Sequence, residues 1–295
     1  MHDIISGIVP PMVTPFDHDE QIDEDALRAE TKYLIEDAQV HGLAVSGSTG
    51  EGHTLSVDEV RRVTAIVSEQ ANGRVPVITG IITDSTALAV EYGRAVSDLP
   101  VAALQVTPVH YLFRPDDNAM VRHFATIGER TGLPIMIYNV IPWTYLSPHL
   151  LTKIITEVDT VIGVKQSAGD LQLLANLLVQ IEDRARIMSA VDALLYPSFT
   201  LGSHGAIAAI LTAAPTLCVA LWNAVRQDNH TTALNLHHQL LHIWNAINGD
   251  NLPANVKHCL NIQNRTGGAP RSPMPVTTSQ QAKHIKQALQ ETGLI

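Results

Sequence analysis

"VIGVKQSAGD", residues 161–170, is the stretch on which the reading of this chain turns. Val161, Ile162 and Val164 lead into Lys165, and a helix-like run, DLQLLANLLVQI, starts at Asp170. A β-branched run that stops just before a helix is the pattern of a buried strand in a βα unit. Lysine is seldom fully buried without a partner. A lysine at the end of such a strand either snorkels to solvent or is placed for chemistry at the mouth of an α/β fold.

The same pattern repeats along the chain. Apolar runs at 7–13, 43–46, 75–79, 101–106, 134–139, 161–165, 186–189 and 205–210 predict strands. Amphipathic stretches at 25–42, 57–72, 84–97, 116–131, 147–157, 169–183, 191–201 and 215–228 predict the helices between them. A βα unit of about 30 residues suits a parallel crossover. Eight such units predict a (β/α)8 TIM barrel, spanning 1–230, followed by a C-terminal helical extension over 231–295. A Gly/Pro-rich interruption, RTGGAPRSPMP, falls inside that extension. A doubly wound sheet is disfavoured, because no GxGxxG follows the first strand.

Composition narrows the function. Of the 295 residues, 45% are hydrophobic and 16% charged, as in a globular protein. The net charge is −10 and no Lys/Arg cluster is present, so a nucleic-acid partner is not expected. The N-terminal MHDIISGIVPP lacks a signal-peptide pattern, and no apolar run reaches the roughly 18 residues of a spanning helix, so no membrane partner is expected. Two cysteines, Cys218 and Cys259, sit in no CxxC pattern, which fits a reduced cytoplasmic setting. The histidine run HHQLLH (237–242) lacks the Glu of H-E-x-x-H and reads as a helix face, so no metal site is expected.

In a barrel, the C-terminal strand ends and the loops after them carry function. Collecting those positions gives Thr14, Ser48, Thr49, Thr79, Thr107, His110, Tyr138, Asn139, Lys165, Ser189 and Ile210. Tyr138 and Lys165 end the fifth and sixth strands, neighbours in a parallel barrel, so a phenol and an amine would share one cavity. A neutral lysine amine can form a Schiff base with a ketone or aldehyde. The protonated imine draws electrons from the adjacent carbon, which permits C–C cleavage, C–C formation or loss of water. Tyr138 is the candidate acid/base. The other lysines, among them Lys32, Lys153, Lys257, Lys283 and Lys286, fall in or near predicted helices, where exposed amines are expected.

The loop VSGSTGEG (45–52) follows a strand and precedes a helix. Its glycines let the backbone approach a ligand, while Ser48, Thr49 and the N–H groups around Gly50 suit an anion. It lacks the GK[ST] of a nucleotide P-loop, so a carboxylate fits better than a triphosphate.

GSTGEG, YNV, IGVKQSAGDL and GGAPRSPMPV, in that order and spacing, resemble the dihydrodipicolinate synthase/N-acetylneuraminate lyase family, from about residue 7 to 294. The resemblance implies a (β/α)8 barrel, usually a homotetramer, that works on pyruvate or another 2-oxo acid without metal or cofactor. By position, Lys165 resembles the Schiff-base lysine and Tyr138 the catalytic tyrosine. Ser48 and Thr49 resemble the hydroxyl pair of the carboxylate and proton-relay site. Three departures bear on substrate. Trp143 stands where the synthases place an arginine for the second carboxylate. The relay tyrosine lines up with His110 or, if the loop shifts by one, Tyr111. The eighth strand, GAIAAIL, ends in apolar Ile210 rather than in the hydroxyl-bearing residues with which sialic-acid lyases read a polyol. The expectation is a lyase for a different 2-oxo acid, acting by aldol cleavage or condensation. A 2-keto-3-deoxy sugar acid dehydratase is the alternative within the family, and a non-catalytic 2-oxo acid binding barrel the alternative outside catalysis.

Overall fold

A computed structural model describes residues 5–295. Its strands are β1 (Gly7–Ile8), β2 (Leu43–Val45), β3 (Val77–Ile81), β4 (Ala103–Val106), β5 (Ile135–Asn139), β6 (Val161–Gln166), β7 (Arg186–Ser189) and β8 (Gly205–Ala206). They pair in parallel in the order β1-β8-β7-β6-β5-β4-β3-β2. The two ends of that order meet. Pro11 bridges Ala44, and the Met12 N–H donates to the Ala44 carbonyl at 2.8 Å. The sheet is therefore a closed (β/α)8 barrel, as the spacing of apolar runs predicts.

Helices α1 (Glu24–Glu36), α2 (Val57–Ala71), α3 (Thr86–Ala95), α4 (Asp117–Thr131), α5 (Pro148–Glu157) and α6 (Leu171–Ile181) follow the first six strands. Each begins at a side chain that accepts a first-turn N–H: Asp23, Ser56, Ser85, Asp116, Ser147 and Asp170, in that order. Such caps satisfy donors that the helix itself leaves free. After β7 and β8 come α7 (Leu195–Thr200), the single turn α8 (Ile210–Ala213) and α9 (Pro215–Arg226). The chain ends in α10 (His230–Ile247), α11 (Leu252–Ile262) and α12 (Ser279–Glu291).

Several boundaries differ from expectation; β3, for example, runs Val77–Ile81 rather than 75–79. β1 stops at Ile8 because Pro10 and Pro11 have no N–H to give a ladder. α1 stops at Glu36 rather than near 42, and the chain turns through Gln39 at φ +56°. The eighth strand stops at Ala206, so Ile210 opens a helical turn instead of ending a strand.

Two apolar clusters make the core. Val9, Ala44, Ile78, Ala103, Met136, Ile162, Met188 and Ile207, one from each strand or its flank, fill the barrel interior. The larger cluster packs the helices onto the outside. A buried ion pair ties the C-terminal segment to α1: Arg265 grips Glu30 through Nε at 3.1 Å and Nη2 at 2.5 Å, and Nη2 also donates to the Thr212 carbonyl. Among the described residues no helix is long and apolar enough to cross a membrane.

His123 on α4 is buried, with Nδ1 2.9 Å from Thr86 Oγ1. Burial lowers its pKa from 6.5 to about 4. The unfolded chain then holds the extra proton, so stability falls as pH drops from 6.5 through about 4. That shift amounts to on the order of 3 kcal/mol. Denaturant midpoints measured from pH 7 to pH 4 should fall less steeply for His123→Gln than for the parent; equal slopes would mean that His123 does not drive the acid sensitivity.

Candidate active site

A strand aims alternate side chains at opposite faces. Ile162 belongs to the barrel interior, so strict alternation would send Lys165 outward. The β6 ladder breaks that alternation. Val161 pairs with Ile135, but Gly163 pairs with Met136, which leaves Ile162 as an extra residue. A bulge of this kind re-aims the side chains beyond it. Val164 then packs outward, and Lys165 turns inward between Tyr138 on β5 and Met188 on β7. Gly163 is required at the bulge, since a Cβ there would meet the Arg186 carbonyl oxygen at 2.6 Å.

Lys165 is 4% exposed, and its Nζ lies 4.0 Å from the centroid of the Tyr138 ring. The Tyr138 hydroxyl donates to Ser48 Oγ at 2.9 Å. Burial alone would raise the Tyr138 phenol. The Lys165 charge and the bond to Ser48 outweigh burial and bring it below the ordinary tyrosine value. Amine, phenol and Ser48 hydroxyl thus form one connected unit. Thr49 is buried beside it, and the Gly50 carbonyl accepts from Thr14 Oγ1 at 2.7 Å.

The loop bearing Ser48 and Thr49 is tightly constrained. Ser46 and Glu51 both take positive φ, at 55°. A Cβ on Gly52 would fall 1.9 Å from the Ser46 carbonyl oxygen, and one on Gly50 would fall 2.7 Å from that of Met12. Glu51 anchors the loop from behind. Its Oε1 lies 2.6 Å from Lys257 Nζ, and both side chains are shut off from solvent. Its Oε2 accepts the Arg271 N–H at 2.8 Å. Lys257 also donates to the Ala269 carbonyl at 2.7 Å. The helix expectation for Lys257 is met, but its expected exposure is not: it is 1% exposed and ion-paired. Burial pulls its pKa below the ordinary lysine value, while Glu51 opposes the fall.

Several predicted mouth residues face elsewhere. Thr79 turns outward to Thr64, with hydroxyl oxygens 3.2 Å apart, and Ser189 donates to Ser198 Oγ at 2.9 Å. Asn139 pins the following loop through the Leu146 N–H at 2.9 Å. The Ile210 side chain joins the outer core, and its N–H donates to Asp192 Oδ1 at 2.7 Å. Each is one residue away from inward register or past the strand end.

His110 is partly buried. Its Nδ1 lies 3.1 Å from the Pro108 carbonyl and 3.3 Å from Asp84 Oδ1. Tyr111 is 73% exposed. Trp143 is 72% exposed, and its indole N–H is already engaged by the His110 carbonyl at 3.0 Å.

Asp192, just after β7, escaped the sequence reading. Burial raises its pKa from 3.8 to about 6, partly offset by the Ile210 N–H and the Lys165 charge. The available signal was its place in SAVD, three residues beyond a strand end. Among the described residues no three His, Cys, Asp or Glu side chains converge to hold a metal ion.

The model of the Dihydrodipicolinate synthetase family matches residues 4–292. The chain belongs to that family. A 4-hydroxy-tetrahydrodipicolinate synthase from Methanopyrus kandleri is 32% identical over 99% of this chain and 97% of its own length. One of the same name from Bradyrhizobium diazoefficiens is 31% identical over 98% and 97%. In fold, the chain resembles the N-acetylneuraminate lyase of Fusobacterium nucleatum at a TM-score of 0.90, with 26% identity over 98% of this chain and 99% of that one. Synthases and lyases on one barrel make this an enzyme of the lyase kind.

Lys257→Met should cost about 3–5 kcal/mol, because it strands Glu51 as a buried unpaired carboxylate. Adding Glu51→Gln should restore a large part of the loss. Urea unfolding of both variants checks this, and equal destabilisation by single and double variants would contradict it.

Proposed function

We propose that this chain is a Schiff-base-forming lyase acting on pyruvate or another 2-oxo acid, by aldol cleavage or condensation. The observation that carries the reading is the buried Lys165 amine held 4.0 Å over the Tyr138 ring, with that phenol bonded to Ser48. In this reading the Lys165 amine adds to the C2 carbonyl, and the carbonyl oxygen departs as water. The protonated imine accepts the electron pair of the C3–C4 bond as the aldehyde leaves, and the C3 carbon then takes a proton. Tyr138 and Ser48 move the protons, and Ser48, Thr49 and Gly50 receive the carboxylate. No cofactor or metal takes part. His110, partly buried where Tyr111 is exposed, is our choice for the relay position.

The named relatives are synthases, yet Trp143 supports a different partner substrate. An indole has one donor, and here that donor is bound to His110, so it cannot clamp a second carboxylate as a guanidinium would. We place the chemistry in the barrel, 1–230, with 231–295 as the extension that braces the loop through Lys257 and Arg271. Tyr111, Leu112 and Phe113, at 73%, 88% and 60% exposed, form an apolar patch that favours a homo-oligomer. Two free, buried cysteines suit a cytoplasmic protein.

A panel of 2-oxo acids assayed for both pyruvate release and water loss tests the reaction class. With the best substrate, Lys165→Ala should abolish turnover without lowering the thermal midpoint. Near-normal activity in that variant would end the Schiff-base reading. Tyr138→Phe should slow turnover by about 10²–10⁴-fold, the range of a positioned acid/base; an unchanged rate would reduce Tyr138 to packing. Pyruvate with aspartate semialdehyde should give no product, and a synthase-level rate would overturn the inference drawn from Trp143.

A further inference from the structure

Gln105 sits inside the barrel, and no protein group pairs with its carboxamide. It follows inward-facing Ala103 by two residues on β4, while Leu104 and Val106 pack outward. It is 0% exposed, and neither its Nε2 nor its Oε1 has a hydrogen-bond partner in the protein. A buried carboxamide left unpaired is costly, and proteins rarely keep one without a use. Its level in the barrel is fixed by register. Gln105 pairs with Met136, and Tyr138 lies two residues further along β5, beside Lys165. Followed round the closed barrel, the pairing climbs by one residue per strand, so Gln105 on β4 shares a layer with Lys165 on β6 and lies just below the level of Tyr138.

One layer nearer the mouth is a second unpaired group. Gln105 pairs with Gly80 on β3, and Ser46 lies against Gly80 from the other side, where a Cβ on Gly80 would meet the Ser46 carbonyl oxygen at 2.4 Å. The Ser46 hydroxyl is buried without a partner as well. The Gln105 amide nitrogen lies close under Gly47, 3.6 Å from where a Cβ on it would stand. Together Gln105 and Ser46 offer amide N–H donors, an amide oxygen acceptor and a hydroxyl. A carboxylate would satisfy the N–H groups but face the amide oxygen without a proton to give. Water complements all three, because it both donates and accepts.

We propose that Gln105 and Ser46 hold the water that imine chemistry at Lys165 releases and consumes, an inference that rests on the Schiff-base reading. When the amine adds to a 2-oxo acid, the C2–O bond breaks and the oxygen leaves as water with two protons. In the reverse step one water attacks the imine carbon, a C–O bond forms, and the amine departs with its electron pair. Gln105 is a positioning residue here, since it acts through that water.

Isotope exchange separates this role from a structural one. Wild-type protein given pyruvate labelled with heavy oxygen at C2 should wash the label into solvent. In deuterium oxide it should also load deuterium onto the methyl carbon through the enamine. Gln105→Met, of similar size and without the amide, should slow oxygen loss by about tenfold, the scale of one lost hydrogen bond. The imine then lives longer, so each pyruvate released should carry more deuterium than with wild type. Ser46→Ala should act in the same direction and serves if the methionine variant fails to fold. Variants that lose both exchanges in proportion, with an unchanged deuterium count per released pyruvate, would overturn the assignment of the water site while leaving the Schiff-base reading intact. A wild-type protein that exchanges neither atom would overturn both.

Discussion

A strand can present only every second side chain to a barrel's interior, and β6 has to present both Ile162 and Lys165. One extra residue resolves the conflict. The bulge at Ile162 lets the lower part of β6 contribute to the apolar plug and the upper part contribute an amine. Without it, Lys165 would point among the helices, and the pairing with Tyr138 would not exist. The β5–β6 register that brings these two residues side by side is thus the constraint on which the site is built.

Opposite them, the GSTGEG loop is held by charge rather than by packing alone. Glu51 joins the loop to α11 through Lys257 and to the C-terminal segment through the Arg271 N–H. The Arg271 guanidinium reaches on to Glu59 on α2, at 2.6 and 3.1 Å. Fully buried pairs of this kind add little net stability compared with apolar packing, but they penalise any rearrangement that separates them. Here such a rearrangement would move Ser48 away from Tyr138. The two buried lysines consequently differ in kind: Lys257 is bound to a carboxylate, whereas Lys165 faces an aromatic ring and a phenol.

The barrel was legible because β-branched runs and capped helices alternate at a regular spacing, and the order of four motifs marked the family. The adjacency of Tyr138 and Lys165 came from strand order alone. Side-chain direction did not. Asn139 and Ser189 end their strands and Thr79 lies in the middle of β3, and alternation turns all three outward; no sequence pattern announces the β6 bulge that rescues Lys165. Ile210 misled because GAIAAIL reads as a continuous strand while the ladder stops at Ala206. The sequence predicts an exposed Lys257 because its partner, Glu51, is more than two hundred residues away in the chain. Gln105 and Asp192 are ordinary polar residues in sequence; only their burial gives them meaning.

Borohydride reduction in the presence of pyruvate tests most directly whether Lys165 is the reacting amine. Reduction converts a protonated imine to a stable secondary amine, and peptide mapping by mass spectrometry then locates it. A single pyruvate-dependent adduct on Lys165 is the expected result. An adduct on Lys257, or label spread over several lysines, would contradict it.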